Sequence, residues 1–148
     1  MVGFLRVHAE EEVKRINLNG VMHGTHAALP HLEETEGSVI NVASIYGLVG
    51  APGATAKGGI VNFTRSVAVD YAHEGVRVNC ICPGFVETPM TAPNFEDDEF
   101  YEYVHGHTPM GRVAQPEEVA GLAMFLASDE ASYITGANVP VDGGWTAQ

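Results

Sequence analysis

Two short apolar runs limit the folds open to this chain: SVINVAS over 38–44 and VRVNCICPG over 76–84. Both are rich in β-branched residues and too short for typical helices, which favours strands buried on both faces of a parallel sheet. Between them, apolar residues recur at helical spacing over 58–73. A strand, a helix and a second strand in this order predict a right-handed βαβ crossover.

Further elements flank this unit on both sides. Apolar residues recur at mostly helical spacing over 10–32, which predicts one long helix before the first strand. After the second strand, Pro116 and the two acids that follow it favour a helix that runs to about Ala127. A short apolar run over 138–141 predicts the third strand.

The stretch 91–112 differs from its neighbours because it is rich in proline, asparagine and acidic residues. Such a segment, with a short helix predicted near 97–104, is typical of a lid over a binding site. No internal repeat or low-complexity segment divides the chain. We therefore predict a single α/β domain over 1–148, built on a three-stranded parallel sheet with helices on both faces.

Composition argues against several classes of function. The 148 residues include 7 Lys and Arg against 19 Asp and Glu, a formal net charge of −12 that would repel a polyanion over most of the surface. We therefore expect no nucleic-acid partner. No apolar run approaches the roughly 18 to 20 residues that cross a bilayer, so we expect no membrane partner and a cytoplasmic location.

The cysteines and histidines do not predict a metal site. Cys80 and Cys82 alternate along one predicted strand and so share a face, where a bridge between them is geometrically poor and buried free thiols are favoured over a metal pair. His23, His26 and His31 lie on the first predicted helix without a carboxylate in a known ligand spacing. Helix-surface positions are the favoured interpretation of these histidines.

Several separate motifs occur in one order along the chain. Asn17 in the first helix, Ser44 at the end of the first strand and Lys57 before the second helix are followed by PGFVETPM over 83–90 and TGANVPVDGGW over 135–145. Together these motifs resemble the later part of a short-chain dehydrogenase/reductase. The resemblance implies a partial Rossmann fold, NAD or NADP as cofactor, and interconversion of an alcohol and a ketone by hydride transfer.

The resemblance implies roles for three catalytic residues. Ser44 would polarise the substrate oxygen, Lys57 would bind the nicotinamide ribose and lower the pKa of a tyrosine, and the backbone of Asn17 would hold a water of the proton relay. Each residue also has a simpler interpretation. Ser44 could cap a strand, Lys57 could be a solvated surface charge, and Asn17 could be an amide at a helix bend.

The PGFVETPM turn carries the implied cofactor contact. By resemblance, the Thr88 hydroxyl and the neighbouring backbone of Pro83, Gly84 and Val86 would meet the nicotinamide carboxamide, while Lys57 holds the ribose. An ordinary proline turn is the alternative interpretation. The lid over 91–112 would select the alcohol or ketone, because in this family that segment is the variable part.

The chain departs from the family pattern at the proton donor. Lys57 follows Ser44 by 13 positions, and Gly53 stands where the family has a tyrosine. In the family about seventeen positions separate the serine from the lysine, so about one helical turn that includes the tyrosine is missing. Tyr46 is a weaker alternative donor and a better candidate for a pocket or core aromatic. Because a positioned acid contributes roughly 10²–10⁴ in rate, we expect negligible turnover by the isolated chain.

The family's opening strand and glycine-rich TGxxxGxG turn also have no match in the sequence. Without that neighbouring strand the first strand would be an exposed edge, which predicts self-association or marginal stability. The two long helices resemble those of the family's main subunit contact, so we expect a homo-oligomer. A noncatalytic remnant or oligomerisation module is the competing interpretation, and an incomplete version of a longer protein is a third.

Overall fold

The computed structural model describes residues 10–148 and shows a three-stranded parallel sheet with helices packed against it. The predicted α/β class and sheet are therefore confirmed. A π-helical turn at Lys14–Leu18 leads into the first α-helix. In chain order the elements are α1 (Asn19–Glu33), β1 (Ser38–Val42), α2 (Thr55–Tyr71), β2 (Arg77–Pro83), α3 (Asp98–His107), α4 (Pro116–Ala127) and β3 (Asn138–Val141).

The sheet has the strand order β1-β2-β3, and both strand pairs are parallel. Ser38 lies opposite Arg77 at the start of the first pair, and Pro83 lies opposite Val141 at the end of the second. Because β2 is central, residues 78–82 are all buried. The carboxyl ends of the strands meet at one edge, which is where open parallel sheets bind ligands.

Side chains of β2 point alternately into two helical layers. Val78 packs with Leu29 of α1 and Val67 of α2, whereas Ile81 packs with Leu126 of α4. Burial of one such aliphatic side chain contributes about 1.5–3 kcal/mol, so these contacts hold both layers against the sheet.

Cys80 and Cys82 lie on the α2 side of β2, on one face as the alternation predicted. Both thiols are free and fully buried, in a cluster with Ile60 and Val61. The hydrogen bond between the two thiols, together with burial, raises the pKa of Cys82. In the part of the chain that the structure describes, no three His, Cys, Asp or Glu side chains form a metal-binding group.

A buried polar network joins α1, β1 and α2. The Asn41 amide donates to Thr64 Oγ1 at 3.0 Å, and Thr25 Oγ1 donates to Asn41 Oδ1 at 3.4 Å. All three side chains are buried, so each depends on the others for hydrogen bonds that water would otherwise supply. The network therefore links both helices to β1 by hydrogen bonds in addition to apolar contacts.

Some element bounds differ from the sequence-based ones. β3 has the predicted bounds, but α2 begins at Thr55 rather than near Gly58 and so includes Lys57. The lid helix α3 extends past the predicted end at Val104 to His107. Its start is fixed by Asp97, whose carboxylate accepts a hydrogen bond from the Phe100 amide at 3.0 Å.

β1 lies at an edge of the sheet, and Val42 at its end is 51% exposed. Among residues 10–148, no further strand pairs with the outer side of β1. Within the same range, no helix combines the length and the apolar character that crossing a bilayer requires.

Candidate active site

The predicted site segments leave the sheet side by side at its carboxyl edge. Ala43, directly after β1, donates its amide hydrogen to the Ile81 carbonyl at 2.9 Å. Gly84, directly after β2, continues the pairing with β3 through a backbone hydrogen bond of 2.9 Å. Ser44 and the Pro83–Thr88 loop therefore start from neighbouring points of one edge.

Ser44 ends the first segment in an extended conformation and caps the 3₁₀ turn Ile45–Gly47. The Tyr46 amide donates to Ser44 Oγ at 3.2 Å. This contact uses the hydroxyl oxygen as an acceptor and leaves its single proton to donate. Capping the turn and polarising a substrate oxygen are therefore compatible for this half-buried side chain.

Lys57 lies in the first turn of α2 and is half-buried. Burial lowers the pKa of its ammonium, while the thiols of Cys80 and Cys82 act in the opposite direction. These neighbours locate the Lys57 side chain near β2, so it is not a fully solvated charge.

Gly53, at the position of the family tyrosine, lies outside α2. Its φ of 74° is in the left-handed region that favours glycine, and a Cβ there would meet no atom within 4 Å. Because α2 begins only at Thr55, the turn of helix that would carry a phenol next to Lys57 is not formed.

Tyr46 faces the lid. Its ring lies edge-on to Phe85, with the centroids 6.3 Å apart. Burial raises the pKa of the Tyr46 phenol, and the nearby Tyr103 of α3 raises it further. Tyr46 therefore lies between the Ser44 turn and the lid, at a position that suits a pocket or core aromatic.

The loop after β2 is held by a second segment of the chain. The Glu87 amide donates to the Ala114 carbonyl, and the Ala114 amide donates to the Phe85 carbonyl, both at 2.9 Å. Val86 thus forms an isolated parallel bridge with Ala114. These bonds fix the backbone of the predicted cofactor loop even though it lies outside the sheet.

The Thr88 hydroxyl is paired with Thr91, a residue that the sequence did not single out. The two hydroxyl oxygens are 2.9 Å apart, and the Thr88 amide donates to Thr91 Oγ1 at 2.9 Å. Thr91 Oγ1 in turn donates to the Val86 carbonyl. Thr91 therefore orients the hydroxyl that was predicted to contact the cofactor.

Asn17 lies in the π-helical turn Lys14–Leu18, with its side chain exposed. Single π turns inside helices occur frequently at functional sites. Leu18 in the same turn contacts α2, since a Cβ at Gly59 would lie 2.8 Å from Leu18 Cδ2. The bend at Asn17 is thus joined through Leu18 to α2, the helix that carries Lys57.

Asp142 lies after β3 and was not predicted from the sequence as a site residue. Its carboxylate accepts hydrogen bonds from Thr146 Oγ1 at 2.6 Å and from the Gly144 amide at 3.0 Å. Partial burial raises the pKa of Asp142, but these hydrogen bonds outweigh it and hold the pKa below its ordinary value. Asp142 thus lies directly behind the loop over 83–88, at the carboxyl edge of the sheet.

Arg112 and Glu118 form a second feature that the sequence did not reveal. The guanidinium donates to both Glu118 carboxylate oxygens, at 2.7 and 2.8 Å. The Arg112 hydrogen bonds and the Gln115 amide lower the pKa of Glu118 to about 2. The Gln115 side chain also donates to the Glu87 carboxylate at 2.8 Å. This bond joins the start of α4 to the loop over 83–88.

Comparisons with known proteins agree with this arrangement. A family model described as enoyl-(acyl carrier protein) reductase matches residues 5–146. A meso-2,3-butanediol dehydrogenase from Serratia marcescens is 48% identical over 138 residues, which are 89% of this chain and 53% of the relative. The chain thus spans about half the length of that relative.

Solved structures show the same fold bound to nicotinamide cofactors. A protein from Agrobacterium tumefaciens, solved with bound NADP, matches with a TM-score of 0.89 at 34% identity, over 93% of this chain and 58% of its own. A 4-hydroxyisoleucine dehydrogenase complexed with NADH matches with a TM-score of 0.89 at 26% identity, over 94% and 60%. The chain therefore belongs to the short-chain dehydrogenase/reductase family of NAD(P)-dependent oxidoreductases.

Proposed function

We propose that this chain holds the nicotinamide end of NAD(P) and a secondary alcohol or ketone at the carboxyl edge of its sheet. We further propose that turnover is impaired because Gly53, rather than a tyrosine, lies four positions before Lys57. When bound, the cofactor supplies or accepts the hydride. The chain's own residues orient both reactants and handle the proton at the substrate oxygen.

The residues at this edge fit the nicotinamide end of the cofactor. A Cβ at Gly84 would lie 2.9 Å from the Cα of Asp142, the residue directly after β3. The backbone at position 84 therefore packs so closely against Asp142 that a larger residue would not fit. Thr88 presents a hydroxyl fixed by Thr91. Lys57 adds a half-buried cation that suits ribose hydroxyl oxygens. We assign Lys57, Pro83, Gly84, Val86 and Thr88 to this contact.

One observation carries the proposal: Ser44 follows β1 where it pairs with β2, and Lys57 lies near the Cys80 and Cys82 thiols of β2, whereas position 53 lies outside α2. The Ser44 hydroxyl can donate to a carbonyl oxygen, and the Asn17 turn can hold a water near the start of α2. We infer that the proton for the reduced oxygen then comes from water. Loss of a positioned acid costs roughly 10²–10⁴ in rate.

A titration and an assay test these two claims separately. Reduced nicotinamide mononucleotide carries only the nicotinamide half of NADH, so we expect the chain to bind both with affinities within about tenfold of each other. Hydride transfer with meso-2,3-butanediol and other secondary alcohols should be at least about a hundredfold below a typical enzyme turnover of about 10 s⁻¹. Full turnover, or no binding of either nucleotide, would refute the proposal.

A second candidate is a noncatalytic module that pairs through its helices. Val13 and Ile16 on the first helical segment are 38% and 58% exposed, as is expected of an apolar surface that seeks a partner. Light scattering at several protein concentrations, with a parallel NADH titration, separates the candidates. Stable oligomers that bind no NADH and dissociate in an Ile16→Asp variant favour the module, whereas NADH binding favours the residual enzyme.

A further inference from the structure

Five aromatic side chains form a continuous wall beside Ser44. Phe85 lies at its centre, with ring centroids 5.0 Å from Trp145, 5.9 Å from Phe100 and 6.3 Å from Tyr46. Tyr103 extends the wall, at 6.0 Å from Trp145. We call these five residues the aromatic wall. Because the Tyr46 amide is bonded to Ser44 Oγ, the wall begins where the substrate oxygen would bind.

The aromatic wall is not fully buried. Four of its members are only half-buried and Tyr103 is 49% exposed, so ring surface remains open on the lid side. Phe100 and Tyr103 line a groove of about 320 Å³. The groove is open and is lined by lid residues, so a ligand ring would rest against the two aromatic rings rather than be enclosed.

The rim of this groove is acidic. Asp97 and Glu99 line it together with the two aromatic residues. Arg112 is the single lysine or arginine in the sequence from 78 to 148, and the Glu118 carboxylate already binds both ends of its guanidinium. The charge of Arg112 is therefore paired, while the carboxylates of Asp97 and Glu99 remain on the rim.

We propose that the lid selects uncharged secondary alcohols or ketones that carry an apolar ring, and that it disfavours anionic ones such as hydroxy acids and phosphorylated substrates. A ring gains edge-to-face and stacking contacts on the aromatic wall. An anion loses hydration and is repelled by the rim carboxylates. The inference rests on the proposed function because it names the substrate class of the same site.

A matched ligand pair tests this selection without any turnover. 1-Phenylethanol and mandelate share a phenyl ring and a secondary alcohol, and mandelate replaces the methyl group by a carboxylate. Trp145 is the only tryptophan, so its fluorescence reports ligands at the aromatic wall. We expect saturable binding of 1-phenylethanol and at least about tenfold weaker binding of mandelate at low ionic strength, with a smaller difference in concentrated salt.

Variants assign the selection to the lid. Phe100→Ala should weaken 1-phenylethanol binding about fivefold, whereas Tyr133→Ala, which removes an exposed aromatic from a groove lined by Glu36 and Gly75, should not change it. Glu99→Gln should improve mandelate binding about twofold to threefold, and the control Glu130→Gln should leave it unchanged.

The outcomes separate this inference from the proposed function. If the chain binds 1-phenylethanol selectively but binds no reduced nicotinamide nucleotide, the proposed function is refuted and the selection by the lid is still supported. Equal or tighter binding of mandelate, or saturable binding of neither ligand, would overturn the inference even if nucleotide binding is normal.

Discussion

Gly47 approaches Lys57 so closely that a Cβ at position 47 would lie 2.7 Å from the Lys57 carbonyl oxygen. Gly47 ends the turn that Ser44 caps. The contact therefore sets the spacing between the segment that carries the serine and the helix that carries the lysine. Because the neighbouring atom belongs to backbone, an added methyl group can fit only if one of the two segments moves.

Gly47→Ala should therefore lower the free energy of unfolding by about 1–3 kcal/mol and weaken the binding of reduced nicotinamide mononucleotide. Gly50→Ala is the matched control, since a Cβ at position 50 would meet no atom within 4 Å. Urea denaturation measures the first effect and nucleotide titration the second. Equal effects of the two substitutions would show that the contact does not constrain the site.

Thr64→Val tests the buried network, because it replaces the hydroxyl by a methyl group of similar size. The Asn41 amide would lose its acceptor in a buried environment, which should cost about 1–3 kcal/mol of stability. Ser66→Ala, two positions further along α2 and exposed, should change stability by less than about 0.5 kcal/mol. Denaturant titrations of both variants check this, and a neutral Thr64→Val would contradict it.

The Arg112–Glu118 fork predicts a particular pH dependence. The folded-state pKa of Glu118 is lowered from 4.5 to about 2, so its contribution to stability is complete above the unfolded-state value and is lost as the pH falls towards 2. The melting temperature of Glu118→Gln should therefore differ most from that of the original chain near pH 7 and least near pH 3. A difference that grows on acidification would contradict the assignment.

Lys57 should titrate below the ordinary lysine range, because burial favours its neutral form in the folded state. Burial of the Lys57 ammonium therefore lowers the free energy of unfolding at pH values below the folded-state pKa of Lys57. This loss of stability is relieved as the pH rises through that pKa. Lys14 is the only other lysine. In a Lys14→Arg variant, NMR of the ¹³C-methylated protein leaves one lysine side-chain signal to follow, and a midpoint at or above 10.5 would refute burial of Lys57.

The sequence predicted the sheet well because each strand is a short apolar run bounded by turn residues. The run over 138–141 lies between Gly136 and Asp142-Gly143, and β3 has the predicted bounds. The start of α2 was less predictable. Its first turn contains several small residues, so apolar periodicity does not mark where the helix begins. In the folded chain, the close contact of Gly47 with Lys57 holds this turn in place.

The site was predicted only in part. Ser44 and the loop over 83–88 follow strand ends, and Lys57 lies in the first turn of the helix that connects those two strands, so the βαβ topology brings their segments to one edge of the sheet. Two contacts could not be predicted, because their side chains meet only in the folded chain and no local sequence pattern indicates them. They are the Gln115–Glu87 hydrogen bond and the Arg112–Glu118 fork. The π-helical turn around Asn17 was predicted as regular helix, because a single extra residue in one turn barely alters apolar spacing.

The most direct test of the account restores the missing proton donor. Inserting Tyr-Ala-Ala-Ser between Ala56 and Lys57 adds about one helical turn with a phenol four positions before the lysine, and Phe-Ala-Ala-Ser is the matched control. The single-turnover rate of ketone reduction by a reduced nicotinamide nucleotide should be about a hundredfold higher or more with the tyrosine insertion than with the phenylalanine insertion. Equal rates for the two insertions, or a chain without either insertion that already matches the tyrosine variant, would contradict the claim that the absent phenol limits this protein.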